Sequence, residues 1–475
     1  VILDNFQYDV LDFMDAAKGR CIYADPMGAR KTGTTLTWLD KQPIRRVLVV
    51  APSAVHGHWA REAERFYRGA DVYCGTGTVK QRATARAGVT TGGVGFPALY
   101  LTTYESMKQD EPELLALKFD AVVFDEGHKL KGRRTAVALT ANAVCRSPKH
   151  ILILSGTPVI NGAEELWQYL HMLSPKLYRS YWAWIEKHFV VEIKMFRGNR
   201  YPTRLIHGFR EGQEDVVKAQ LAGVMIQRPI EELFAFDEWT KKTEDVVIPV
   251  KLTGRERKLY DDLVDRDWSR ELTEDIQVEN KLALGVRLQQ ITSEWGALDD
   301  TVPDGAKVVA AEGLLHGLTR RGPVVVFAQF QATCNRLASR LAGVGISAQP
   351  YHGGIELALR DRAVEEFRTG KLQVIVGTLA SLGEGVDGLQ ALCNQVVFLD
   401  RHWTHARNSQ AIGRLRRSGQ TKRVTVYHFM AEDTIDVAVV AACFRKANVV
   451  ESLNGRPLRD VLYGQHFKIE VDDAG

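Results

Sequence analysis

Eight short runs of Val, Ile and Leu, gathered in two groups of four, constrain the fold of this 475-residue chain more than any other feature. The first group is RRVLVVAP (45–52), ALYLTTYE (98–105), AVVFDE (121–126) and HILILSGTP (150–158). The second is GPVVVFAQF (322–330), QVIVGT (373–378), NQVVFLD (394–400) and RVTVYHFM (423–430). Runs that are apolar at nearly every position, and not at alternate ones, suit strands buried on both faces of a parallel sheet. Helix-like segments lie between them, such as LRDRAVEEFRTG (359–370), whose apolar residues fall on one face. Strand and helix in alternation, twice over, predict an α/β protein of two lobes with helix-flanked parallel sheets. At about 150 residues per domain the length allows two or three such units.

The stretch from 160 to 305 reads differently: AEELWQYLHMLSP (163–175) and the charged segment 256–291 have helical period. VKQRATARAGVTTGGVG (79–95) reads as a basic, Gly-rich loop, and DEWTKKTEDV (237–246) as a polar connector. These shifts place the first lobe at 1–225, with a helical protrusion at 160–225. A helical linker or second protrusion follows at 226–305, and the second lobe at 306–475.

Composition sets the class without choosing the function. The net charge of +4 permits nucleic-acid binding but does not argue for it, because a local stripe matters more than a sum. Six widely spaced cysteines without a C-x-x-C pair suggest neither a disulfide framework nor a thiolate zinc site, and fit a reducing, cytoplasmic setting. No apolar run reaches the roughly 18 residues of a membrane span. The first residues, VILDNFQYDV, lack the basic start and apolar core of a signal peptide, and a start at Val suggests that a few residues precede it.

Three segments carry chemistry. ADPMGARKTG (24–33) joins a strand-like run, RCIYADP, to a helix-like one. Met27, Gly28, Ala29, Arg30, Lys31 and Thr32 would there line a phosphate cradle, with backbone N–H groups and the Lys31 ammonium facing the anion. The Thr32 hydroxyl would ligate Mg²⁺, although a Lys-Thr after a turn is also an ordinary helix start. DEGH (125–128) closes an apolar strand. Asp125 suits metal binding and Glu126 suits polarising a water, against the alternative of acidic residues that merely end a strand. QAIGRLRRSGQ (410–420) spaces Gln410, Arg414 and Arg417 by four and three, on one helical face. Two guanidinium groups so placed could meet charge developing on a transferred phosphoryl group, or could be a solvated basic helix.

The order of these segments resembles the Swi/Snf-type branch of the superfamily-two helicases, in a compact form like the bacterial and phage versions. NFQYDVLDFM (5–14) is similar to the family's adenine-reading motif, with Gln7 in the Gln position. ADPMGARKT resembles the first motif, usually D-E-M-G-L-G-K-T, and VLVVAPSAVHGHWARE (47–62) and LTTYESM (101–107) resemble motifs Ia and Ib. DEGHKLKG resembles the DEAH box, and LSGTPVING (154–162) resembles motif III. VVVFAQF (324–330), TLASLGEGVDGLQ (378–390) and 409–436 resemble motifs IV, V and VI, and 432–452 the family's brace helix.

The resemblance implies two RecA-like lobes closing on ATP and Mg²⁺. Lys31, Asp125 and Glu126 would act from the first lobe and Arg414 and Arg417 from the second, with Gln7 and Gln410 at the nucleotide. It implies a monomeric motor on double-stranded DNA, gripping the phosphate backbone without sequence preference. Ser53, Trp59, Thr103, Gly156, Thr157, Thr378 and Trp403 are the DNA-contact candidates. Each Ser or Thr could equally cap a helix, and Trp403 suits packing as well as stacking. The basic, aromatic stretch 194–210 would be a DNA-gripping loop or an exposed hairpin. A targeting or nuclease partner is compatible with so compact a motor, which would be nucleoid-associated in a bacterial or phage setting.

Departures from the pattern are specific. Arg30 stands where Gly is usual and Pro26 where Glu is usual. If φ at Arg30 is positive, the side chain costs ~1–2 kcal/mol of strain; if negative, it fits. Gly127 in place of Ala reads as a harmless small-to-small change. Three functions stay open: a duplex translocase, a strand-separating helicase for repair, fork reversal or annealing, and a binding module that lost hydrolysis through Arg30.

Overall fold

A computed structural model describes residues 3–91, 96–159, 162–195, 201–233, 243–271, 278–297, 304–386, 388–416, 419–437 and 439–440. The strands of the first half are β1 (Arg20–Tyr23), β2 (Arg46–Val50), β3 (Asp71–Gly75), β4 (Ala98–Thr102), β5 (Ala121–Asp125) and β6 (His150–Leu154). A hairpin, β7 (Phe189–Lys194) and β8 (Thr203–Phe209), and the short β9 (Met225–Ile226) follow. The second half carries β10 (Glu244–Val250), β11 (Val324–Ala328), β12 (Ala348–Tyr351), β13 (Val374–Thr378), β14 (Gln395–Phe398) and β15 (Thr425–Ala431).

Two sheets result, with orders β3-β4-β2-β5-β6-β1-β9 and β10-β15-β14-β11-β13-β12, parallel at every described pairing. Alternate residues of one strand feed different cores, because successive side chains point to opposite faces. Ile22, Leu48, Val50, Val122, Phe124, Ile151 and Ile153 pack on one side of the first sheet. Tyr23, Val47, Val49, Leu99, Val123, Leu152 and Leu154 pack on the other. Val324 and Val326 face one layer of the second lobe, and Val325 and Phe327 the other. This two-sided burial is why the runs are apolar at nearly every position.

The strands that the apolar runs did not announce sit mainly at the margins. β3 and β9 close the ends of the first sheet, and β10 and β12 those of the second. An edge strand is covered less completely, so DVYCG and AQPY carry polar or small residues, and β10 and β12 tolerate Pro249 and Pro350.

Two expectations are corrected. Residues 79–91 form a helix, not a loop, because Arg82 forks onto the buried Asp110 at 2.8 and 3.0 Å and locks that segment to its neighbour. Segment 226–305 is not simply a helical linker. β9 belongs to the first sheet, β10 belongs to the second, and the helix Val278–Glu294 is fastened to the second lobe. There, Ser293 donates to Asp400, Thr292 donates to Asp436 at 3.2 Å, and the fully buried Lys307 bridges both carboxylates at 3.2 and 2.6 Å. The stretch 194–210 supplies the end of β7 and all of β8 of an antiparallel hairpin; its centre, 196–200, lies outside the described residues, as do 441–452 of the expected brace.

Candidate active site

The strands that lead into DEGH, SGTP and ADPMGARKT, namely β5, β6 and β1, are neighbours, so their C-terminal ends bring these segments together. Crevices beyond such strand ends are where parallel α/β sheets bind ligands.

After β1 the chain turns through Gly28 at φ 87° and Arg30 at φ 51°, then enters helix α2 after α1 (Asn5–Ala16), with α2 spanning Lys31–Asp40. Arg30 therefore occupies the left-handed region that explains the usual Gly. Its guanidinium meets Asp4, the N-cap of α1, at 2.9 Å. Lys31 Nζ donates to the Asp25 and Pro26 carbonyls at 2.8 and 2.9 Å. Ala29 is buried, whereas Met27, Gly28 and Thr32 are half-buried, Thr32 in the first turn of α2. The Gln7 side chain is buried between elements: its Nε2 donates to Thr34 Oγ1 at 2.6 Å and its Oε1 accepts the Asp4 N–H at 2.9 Å.

Asp125 ends β5. Its Oδ1 accepts the Glu126 N–H at 3.0 Å and its Oδ2 accepts the Trp59 indole N–H at 2.8 Å. Burial, and then the charge of Glu126, pushes its carboxyl up to about 6, against the pull of Trp59 and Lys31. Burial would also raise Glu126, but His128, Lys31 and Arg414 outweigh it and hold this carboxyl below its ordinary value. Glu126 Oε2 stands 3.2 Å from His128 Nδ1 without hydrogen-bond alignment, and this buried oxygen has no hydrogen bond among the described residues. Adjacent carboxylates shifted in opposite directions suit two different roles, one at a cation and one as a base. Glu126 lies at φ 55°, so the backbone bends sharply here. Gly127 is not interchangeable with Ala: a Cβ would stand 2.4 Å from Ile153 Cγ2, inside the core. The expectation of a harmless exchange is corrected.

The second lobe approaches through the helix His405–Gly413. Gln410 Nε2 lies 3.5 Å from Thr157 Oγ1, and a Cβ on Gly413 would be 3.6 Å from the Met27 Cβ. Arg414 is buried, donates from Nε to the Gly383 carbonyl at 2.8 Å, and pulls electrostatically on Glu126. The helix ends at Gly413 with Arg414 at its C-cap, still in right-handed conformation at φ −70° and ψ −27°, one turn beyond Gln410. Arg417 lies outside the described residues.

The DNA-contact candidates divide. Trp59 is corrected: it is wholly buried in α3 (His56–Phe66) and spends its only donor on Asp125. Gly156 packs against the loop after β1, where a Cβ would be 3.2 Å from the Met27 nitrogen, and Thr157 meets Gln410, so both sit at the cleft. Ser53 is exposed ahead of α3. Thr103 caps the helix Tyr104–Gln109, its Oγ1 accepting the Ser106 N–H at 3.0 Å. Thr378 is buried at the end of β13, and the Trp403 indole donates to Gln289 at 2.9 Å.

Arg228 gave no local signal. It follows β9 and reaches 203 positions back to the buried Asp25, its Nη2 at 2.6 Å from Oδ2, while both Nη1 and Nη2 donate to the Phe6 carbonyl at 3.2 Å. The exit from the first lobe is thus tied to the loop that precedes Lys31.

Two family models match the chain: the SNF2-related domain over residues 6–295, and the Helicase conserved C-terminal domain over 306–419. The mouse Chromodomain-helicase-DNA-binding protein 1-like is 27% identical over 94% of this chain and 48% of its own length. The Uncharacterized ATP-dependent helicase YqhH of Bacillus subtilis is 24% identical over 97% of this chain and 80% of its own length. The Arabidopsis Protein CHROMATIN REMODELING 5 is 23% identical over 90% of this chain, which spans 25% of that protein. A solved Sulfolobus solfataricus SWI2/SNF2 ATPase core in complex with dsDNA aligns with 96% of this chain and 95% of its own at 19% identity and a TM-score of 0.43.

Proposed function

Because the chain belongs to the SNF2-related family of helicase-like ATPases, we propose that its two RecA-like lobes form an ATP-driven translocase on double-stranded DNA. ATP hydrolysis follows from the family; the substrate and the movement are our inference. The observation that carries it is the approach of the second lobe's motif helix to the first lobe's nucleotide loop, with Gln410 Nε2 3.5 Å from Thr157 Oγ1 and Gly413 against Met27; there His128, then Lys31 and Arg414, hold the buried Glu126 carboxyl below its ordinary value. A base must be ionised to polarise water, and a phosphoryl group in flight needs cations from two sides.

Lys31 and the α2 N-terminus would bind the phosphates, with Gly28 and Arg30 turning the loop's backbone toward them. Mg²⁺ would be held by Thr32 and Asp125, whose donor set of hydroxyl and carboxylate oxygens suits a hard cation, and bound there it would neutralise developing phosphate charge. Glu126 would take a proton from the attacking water. Arg414, braced on the Gly383 carbonyl, would stabilise the transferred group only when the lobes are closed. Arg417 is proposed beside it as the second arginine. Gln7 and Gln410 are proposed near the nucleotide, Gln7 by holding α1 against α2.

Exposed Ser53, and Thr103 near the same rim, would meet phosphate oxygens, with Thr378 and Trp403 supplying the second lobe's side. Binding would then be indifferent to sequence and weakened by salt. We place the motor in the cytoplasm, acting as a monomer.

The test is a steady-state ATPase assay with duplex DNA, single-stranded DNA, RNA and no nucleic acid. Stimulation chiefly by duplex is expected; preference for RNA would sink the proposal. Displacement of a third strand without unwinding separates translocation from the strand-separating alternative in repair or fork remodelling. Glu126→Gln should lose at least ~100-fold in turnover and keep ATP binding; normal hydrolysis would overturn its role as base.

A further inference from the structure

We propose that Trp59 is a positioning residue for Asp125, holding the carboxylate in the orientation that a divalent cation needs. The proposal rests on Asp125 as a metal ligand.

Trp59 is fully buried in α3, where any large apolar ring would fill the volume. Packing does not explain where its N–H goes. The indole has a single donor, and it points at Asp125 Oδ2 at 2.8 Å. The other oxygen accepts the Glu126 N–H at 3.0 Å, and the Tyr104 hydroxyl donates to the Asp125 carbonyl at 2.7 Å. One residue is thus fixed by three bonds from three segments: α3 through its side chain, the helix Tyr104–Gln109 through its backbone, and its own following peptide.

Among the described residues each carboxylate oxygen has one donor, which fixes the plane of the group and leaves the remaining lone pairs for a ligand. A bond to a carboxylate oxygen is stronger than one to a neutral carbonyl, so the indole holds that oxygen firmly in place. Outer partners of this kind orient metal ligands, and their loss typically weakens metal affinity about 10–100-fold.

The experiment measures metal binding directly, with Mn²⁺ as the probe and ADP present, by the electron paramagnetic resonance signal of free Mn²⁺. No turnover is involved. Trp59→Phe should weaken Mn²⁺ binding by roughly 10–100-fold and leave metal-free ADP affinity unchanged. Replacing Trp59 by 3-benzothienylalanine keeps the ring size and removes only the N–H, which covers the case in which the Phe variant folds poorly. It should show the same loss. Mn²⁺ affinity kept by the benzothienyl variant would make Trp59 a packing residue and overturn the proposal. Asp125→Asn is the companion: a strong loss there with none at Trp59 refutes the positioning role alone. No loss at Asp125 refutes the metal site itself.

Discussion

Arg30→Gly and Arg30→Ala together test the backbone of the nucleotide loop, and the sign of their difference decides. Arg30 lies at φ 51° and ψ 36°, with its guanidinium on Asp4 at 2.9 Å. Both substitutions remove that ion pair. The two side chains are 50% and 40% exposed, so its loss costs only ~0–1 kcal/mol. Ala keeps the left-handed strain, about 1–2 kcal/mol, whereas Gly relieves it and returns ~0.4–1 kcal/mol through a freer unfolded chain. Gly should therefore be more stable than Ala by roughly 0.5–1 kcal/mol, read from the urea midpoint of the lobe-one transition. At a right-handed site the order reverses, with Gly worse than Ala by about 0.5–1 kcal/mol. That reversal would refute the loop geometry. Activity gives a second reading of the same variants. If Arg30 serves Asp4 and not phosphate, Arg30→Gly should hold or raise kcat and change KM for ATP by less than about threefold, under ~0.7 kcal/mol. A tenfold rise in KM would make Arg30 a phosphate ligand.

Gly127→Ala should cost ~1–3 kcal/mol through overpacking against Ile153 and lower kcat by displacing Glu126, checked by urea unfolding and ATPase assay; a change within about 0.5 kcal/mol refutes the clash. His428 should make the second lobe acid-labile. Burial, then Arg401, lowers it from 6.5 to about 4, despite its 2.6 Å contact with Asp245. The unfolded chain binds the proton first, so stability is full above 6.5, falls as pH drops through that window, and is down by about 2 kcal/mol at pH 5. His428→Gln should flatten the difference between urea midpoints at pH 7.5 and pH 5; an unchanged slope refutes a neutral buried imidazole.

What was legible in the sequence was whatever depends on local repetition. The interior strands could be read because burial on both faces demands apolar residues throughout, as in VLVV and ILIL. The loop before Lys31, the DEGH box and SGTP could be read because turns and strand ends restrict residue type over a few positions. Edge strands such as β12, AQPY, were not legible, since a partly covered strand escapes that demand. The Trp59 role was misread for the same reason in reverse: motif order placed the residue among DNA contacts, and only the packing of α3 on the sheet turned its indole to Asp125.

The sequence by itself determined two parallel-sheet lobes and the chemical groups they carry, because side-chain periodicity and turn chemistry act over short distances. Tertiary structure decided which groups meet. Arg228 reaches Asp25 across 203 positions, Arg414 influences Glu126 across a cleft, and Ile153 forbids a Cβ at Gly127. Those relations are set by the order of strands in the sheet and the closure of one lobe on another, and none of the three has a local signature in the chain.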